Sequence, residues 1–363
     1  MAFAAISKPS LKLNTVLYTG DGNATRTISG VGFQPDLVWN KNRSTTNSNF
    51  IWDAVRGANL VVQTNATSGE DNVTTDFGDG GVGTAAADGF NIVSGTSNSN
   101  NVNNSGNDFV SWNFKANGAG STNGDGSTSC TVSADSSSGF SIIKFAGTGG
   151  NHTIGHGLGA APEMLWFRNL SQTANWICYH KDLQSSSGKQ MYLNSNSAQA
   201  SDTSYLQDTA PDASVITLGA NADSNGSGNN IVCYAFRSIK GYSKVGYFNG
   251  NGDSDGEYVY CGFRPRFVII KVGYATSGPD FTNHWFIFDS QLNGYNGNNE
   301  YLKCDTNDAI SSSTNRIDFL STGFKCRTSN NGVNSSSGAY MYYAIAEEPL
   351  VANVGQSIPA TAV

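Results

Sequence analysis

The sequence has no apolar run of 18 or more residues, so no membrane-spanning helix can be drawn through it. Its opening, Met1 to Ile6, is cut short by Lys8 and Pro9, and no secretory signal is expected there. Charge is scarce. Asp, Glu, Lys and Arg make up 13% of 363 residues, against about 25% in an average globular chain, so solubility must rest on amides and hydroxyls. The 21 Lys and Arg are outnumbered by 28 Asp and Glu, for a net charge of −7. No basic block interrupts that balance. A phosphate backbone would be repelled, which argues against nucleic acid as a partner. Also missing are the Cys-x-x-Cys pair of a structural zinc site and the Gly-x-Ser-x-Gly elbow of a serine nucleophile. No segment keeps apolar residues at i, i+3, i+4 and i+7 over three turns, which excludes long helices, although Asn175 to Tyr192 leaves room for a short turn of one.

Aromatics and glycine are abundant. The 15 Tyr, 19 Phe and 6 Trp supply enough burial to offset the entropy of ordering. The 42 Gly fall into a pattern. Three segments pair an aromatic with a Gly-x-Gly turn: Tyr18-Thr-Gly20-Asp-Gly22, Phe145-Ala-Gly147-Thr-Gly149 and Phe248-Asn-Gly250-Asn-Gly252. A proline follows the second glycine by 13 residues each time, at Pro35, Pro162 and Pro265. Apolar runs come next at Leu37-Val38-Trp39, Met164 to Phe167 and Phe267 to Ile270. Second runs end at Asp53, His180 and Asp289, and closing runs begin near Phe109, Ile231 and Tyr340. Short apolar runs bounded by Asn, Ser and Gly predict strands and turns. The class is all-β. The spacing predicts three tandem β-sandwich modules at 14–116, 139–240 and 241–347. The Gly, Ser and Asn-rich stretch 117–138 reads as a linker, either a flexible joint or a long surface loop, which would leave the first module offset from the other two. The N-terminal arm, 1–13, and the C-terminal tail, 348–363, lack the repeat and are expected to order against a neighbouring subunit.

Residues able to carry chemistry are few. The six cysteines are Cys130, Cys178, Cys233, Cys261, Cys304 and Cys326, and none falls in the first module, so the fold does not need bridges. Buried, reduced thiols are expected. His152 and His156 stand four apart in a glycine-rich stretch read as a loop, where imidazoles would bond to local carbonyls rather than to metal. Asp53 and Asp289 share a position that His180 takes in the second module, and such a swap argues for local hydrogen bonding over catalysis. Asp125, Asp253 and Asp255 lie in turns; calcium is the one ion they leave open, and the stretch after Asp253 lacks the glutamate that completes a calcium loop. No catalytic, cofactor or metal residue is assigned. Trp39, Trp52, Trp112, Trp166, Trp176 and Trp285 are expected in cores, with a sugar-stacking face as the alternative. Tyr247, Tyr274 and Tyr295 flank polar loops of the composition found in adaptable recognition surfaces.

The segments Gly32 to Arg43, Gly155 to Pro162 and Tyr260 to Lys271 resemble a largely uncharacterised family found in virion proteins of marine tailed phages. The likeness runs from 14 to 347. It implies that the three modules are lectin-like or jelly-roll sandwiches in a tail fibre, tail appendage or capsid decoration that folds in the host cytoplasm and is displayed on the virion surface. The implied partners are other virion proteins, further copies of the chain in a homo-oligomer such as a trimer, and a host-surface glycan. No catalytic residues carry over. The rival expectations are a glycan-binding adhesin and, less favoured, a polysaccharide depolymerase, which needs two carboxylates facing across a cleft.

Overall fold

The computed structural model describes residues 4–184, 186–293, 296–297, 300–312 and 314–348. Tyr295 and the tail from 349 onward lie outside them, as do residues 1–3 of the arm. The protein is all-β, and every strand pairing is antiparallel. Three large sheets are each accompanied by a small one.

The large sheets share one strand order. In the first, Leu13–Thr19 forms the edge, followed by Asp108–Phe114, Leu37–Asn42, Phe50–Asp53 and Leu60–Gln63. Phe140–Ala146, Asn230–Phe236, Met164–Asn169, Ile177–His180 and Lys189–Tyr192 repeat that order in the second. Ser243–Asn249, Gly338–Ala346, Pro265–Ala275, Phe286–Asp289 and Leu302–Lys303 repeat it in the third. The prolines precede or open the central strand each time, where a missing N–H is tolerated.

Leu37–Asn42 and Met164–Asn169 are buried at every residue, which explains why they read as continuous apolar runs instead of alternating ones. Val38 faces its own small sheet, whereas Leu37 and Trp39 face a cluster that draws on all three large sheets. There Trp39 meets Trp166 at 5.8 Å between ring centroids, Trp112 meets Phe267 at 5.9 Å, and Phe236 meets Tyr343 at 5.1 Å. The first sheet pair is therefore packed into the centre and is not offset.

The Gly-x-Gly turns have a common cause. A Cβ on Gly20 would lie 2.1 Å from the carbonyl oxygen of Asn104, and Gly22 has a φ of +77°. The same close approach and positive φ recur at Gly147 with Gly149 and at Gly250 with Gly252. A buried asparagine clamps each turn. Asn103, Asn225 and Asn334 accept at Oδ1 the N–H of Asp21, Thr148 and Asn251, while their own carbonyls accept the N–H of Gly22, Gly149 and Gly252.

Two further expectations need correction. The stretch 117–138 is not a joint. It supplies the strands Ser121–Asn123 and Cys130–Asp135, which extend the second large sheet beyond Phe140–Ala146. Cys130 and Val132 face the local core there, so a few alternating apolar residues among Thr and Ser suffice for an edge strand. Residues 4–13 of the arm pack on their own chain: Ile6 enters the central cluster, the Ala5 N–H donates to the Lys240 carbonyl, and Lys12 pairs with Asp135 at 2.6 Å.

All six cysteines are buried and free. Burial raises each thiol, Cys261 and Cys326 to about 12. Because the thiolate is the reactive form, a disulfide-exchange dye should modify none of them in the native protein within minutes and all six in denaturant. Rapid native labelling would contradict this packing.

Candidate functional site

The shared position of Asp53, His180 and Asp289 is an interlock. Asp53 is fully buried and accepts from Tyr234 of the second sheet at 2.7 Å and from Arg56 at 2.5 Å. Asp289 accepts from Thr15 at 2.6 Å and from the Trp112 indole of the first sheet at 3.0 Å. Burial pushes the Asp289 carboxyl up and the His180 imidazole down to about 3, leaving the latter neutral. The local hydrogen bonds expected there are present, Asp53 accepting the Val55 N–H and Asp289 the Gln291 N–H, but both carboxylates also reach across the molecule, which the local expectation did not include.

A second set of equivalent contacts runs between neighbouring sheet pairs. The Trp176 indole donates to the Gln63 carbonyl at 2.8 Å and the Trp285 indole to the Tyr192 carbonyl at 2.9 Å. Asn49, at the matching register, reaches the carbonyls of Lys303 and Cys304. The three contacts close a ring within one chain. The six tryptophans are all at most 3% exposed, so none forms a sugar-stacking face.

Buried cations occupy a third equivalent position. Lys41 donates to the carbonyls of Asn47 and Asn307, Lys271 to those of Asn283 and Ser195, and Arg168 to that of Ala174. Burial lowers Lys41 to about 7 and Lys271 to about 8, from 10.5. Between pH 7 and 9 the unfolded chain therefore holds protons that the folded one has released. Stability should rise with pH across that window, by up to about 1.4 kcal/mol per pH unit for each proton. In urea melts, Lys41→Met should flatten this slope whatever it does to absolute stability; an unchanged slope would refute the assignment.

The remaining candidates are structural. His152 lies on the strand His152–Gly155 and not in a loop, with its ring nitrogens 2.8 Å from Thr128 Oγ1 and 2.9 Å from Asn225 Oδ1. The local carbonyl bonds expected of these imidazoles are not what holds them: His156 lies 3.2 Å from the Asp212 carbonyl, 56 residues away, and its Nδ1 accepts the Leu158 N–H at 3.2 Å. Asp253 accepts the Asp255 N–H, Asp255 pairs with Lys325 and Arg327, and Asp125 accepts from Asn123. Among the described residues no group of three or more His, Cys, Asp or Glu is placed to hold a metal ion.

Open space lies at the junction of the second and third sheet pairs. Two adjoining hollows of about 320 and 440 Å³ share Lys181, Lys244, Val245 and Tyr260 and form one groove. Tyr247, Tyr258 and Tyr260 line it and are 49%, 39% and 60% exposed, the most exposed aromatics among the described residues. The groove exists because two edges are left uncovered on one side: Ser243–Asn249 of the large sheet and Tyr258–Tyr260 of the small one. In the second sheet pair the corresponding large-sheet edge is covered by Cys130–Asp135. Lys181 is engaged by Asp182 at 3.3 Å and Glu163 at 3.7 Å. The Lys244 ammonium donates to the Tyr260 carbonyl at 2.6 Å and lies 5.5 Å from the Tyr260 ring centroid. Of the tyrosines singled out from sequence, Tyr247 is here and Tyr274 packs against the central cluster. Tyr258 and Tyr260 were missed; the available signal was their alternation about the buried Val259.

One family model, described as a domain of unknown function (DUF7483), matches residues 8–349. The chain belongs to this family. Its span takes in all three sheet pairs, as does the central cluster. No curated protein matches the chain.

Proposed function

We propose that this member of the family is a non-enzymatic surface component of a phage particle, a tail fibre, tail appendage or capsid decoration contributing structure and host contact. The observation that carries the reading is where the reactive groups sit. The six thiols are buried, and Asp53, Asp289 and His180 occupy a buried position whose carboxylates join neighbouring sheets. A chain so committed to rigidity, with Asn, Ser and Thr covering its surface, suits close assembly through wet hydrogen-bonded interfaces. The edge strand Leu13–Thr19, buried at Leu13 and Thr15 but exposed at Leu17, offers with nearby Leu11 a face for self-association or for another virion protein. Cryo-electron microscopy of purified particles tests this: density fitting the three-sheet-pair body at a surface site is expected, and its absence from particles would overturn the reading.

The adhesin reading is favoured by one specific feature, the three exposed tyrosines of the groove. It is compatible with the first, since a displayed protein can also hold a host glycan.

A further inference from the structure

The three sheet pairs allow the groove tyrosines to be separated from the needs of the fold. Register places Leu17 and Lys144 where the third pair has Tyr247. In the same way, Thr27 and Thr153 correspond to Tyr258, and Ser29 and Gly155 to Tyr260. Lys244 stands where the other pairs have Asn14 and Ser141. The frame thus forms twice without these four side chains, so their presence in the third pair calls for a reason other than packing.

Their arrangement suits a sugar. Tyr258 and Tyr260 are two apart on one strand face, which sets them about 6.6 Å apart along the strand as a double platform. The Tyr258 hydroxyl is held by Thr322 at 2.6 Å, which fixes its ring. Gly246 leaves the groove floor as bare backbone over the Tyr342 phenol, which a Cβ would approach to 2.9 Å. Tyrosine offers an apolar face for the C–H side of a pyranose and a hydroxyl for its polar rim. A peptide strand added to the open edge would use main-chain bonds and gain nothing from three outward phenols.

Charge narrows the class. Lys181, Lys240 and Lys244 line the groove against Glu163 and Asp182, a local excess of cation on a chain of net charge −7. Lys181 is already paired with both carboxylates, whereas Lys244 has no carboxylate within ion-pair distance among the described residues. We infer that the groove binds a carboxylate-bearing saccharide, with Tyr258 and Tyr260 stacking on its rings, Tyr247 closing one wall and Lys244 meeting the carboxylate. This rests on the reading of the protein as a displayed surface component and names what its contact face would take.

The test uses the full chain and polygalacturonate as the probe, with dextran as the neutral control. Titration calorimetry should show polygalacturonate binding and no dextran binding. Tyr260→Ala should weaken binding at least tenfold and keep its salt dependence, whereas Lys244→Gln should weaken it and flatten that dependence. Both positions are at the surface, and unchanged melting of the variants would verify folding. Absence of polygalacturonate binding, equal binding of dextran, or binding indifferent to both variants would overturn the inference, as would a strand-forming peptide displacing the probe without need of the tyrosines. Particle incorporation of the same variants separates the two readings. Variants that assemble normally beside a wild type that binds no acidic saccharide sink the groove alone, while absence of the wild type from particles sinks the display reading.

Discussion

Arg56→Met is expected to lower the free energy of unfolding by about 3–5 kcal/mol, because it leaves the Asp53 carboxylate buried without its cation. Arg56 and Asp53 are both fully enclosed at the side chain, and the guanidinium also reaches Glu70 at 3.2 Å and the Ile51 carbonyl at 2.7 Å. Asp53 holds Tyr234 of the second sheet as well, so the loss should be felt across the junction. Exchanging both partners for apolar residues, as in Arg56→Met with Asp53→Leu, should cost less than the single change, since the fully buried carboxylate goes with its cation and the charge that still loses a partner, Glu70, is part-exposed. Urea denaturation of the two variants checks this. A double variant as destabilised as the single one, or more, would show that the orphaned charge is not what makes Arg56→Met costly.

Phe236→Ala is expected to cost a similar amount, about 3–5 kcal/mol, through lost transfer and the cavity left behind. Phe236 touches Phe114 of the first sheet, Trp166 within its own, and Tyr343 of the third. Amide exchange should therefore quicken in all three large sheets. Phe324→Ala removes a ring of comparable size from the cluster confined to the third sheet pair, against Phe248 and Tyr342. Its effect on exchange should stay largely within residues 243–346. If Phe236→Ala quickened exchange only in the second sheet, the central cluster would not couple the three large sheets.

The groove illustrates how far a repeated frame can be read. Gly-x-Gly turns, prolines and aromatic runs are visible at one spacing because each answers a local demand: a positive φ, a close backbone approach, a missing donor tolerated at a strand start. The clamping asparagines were harder to see. Asn103, Asn225 and Asn334 stand in turns crowded with other Asn, and only the Asn-x-Ser spacing before each closing strand sets them apart. Tyr258 and Tyr260 look like any strand aromatics until burial separates them from Val259.

Composition and periodicity by themselves determined the strand class, the positions of the turns and the inward fate of the tryptophans and thiols, since these depend on neighbours within a few residues or on apolar area alone. Which face of a doubly buried strand meets another sheet, and that Asp53 would find Tyr234 181 residues away, depended on the closing of three sheet pairs about one core. The same holds for the stretch at 117–138, whose sparse apolar residues became strand only because an open sheet edge stood beside them. Long-range pairing supplies the hydrogen-bond partners that local sequence cannot specify, and here it decided both the interlock and the uncovered strand edges that flank the groove.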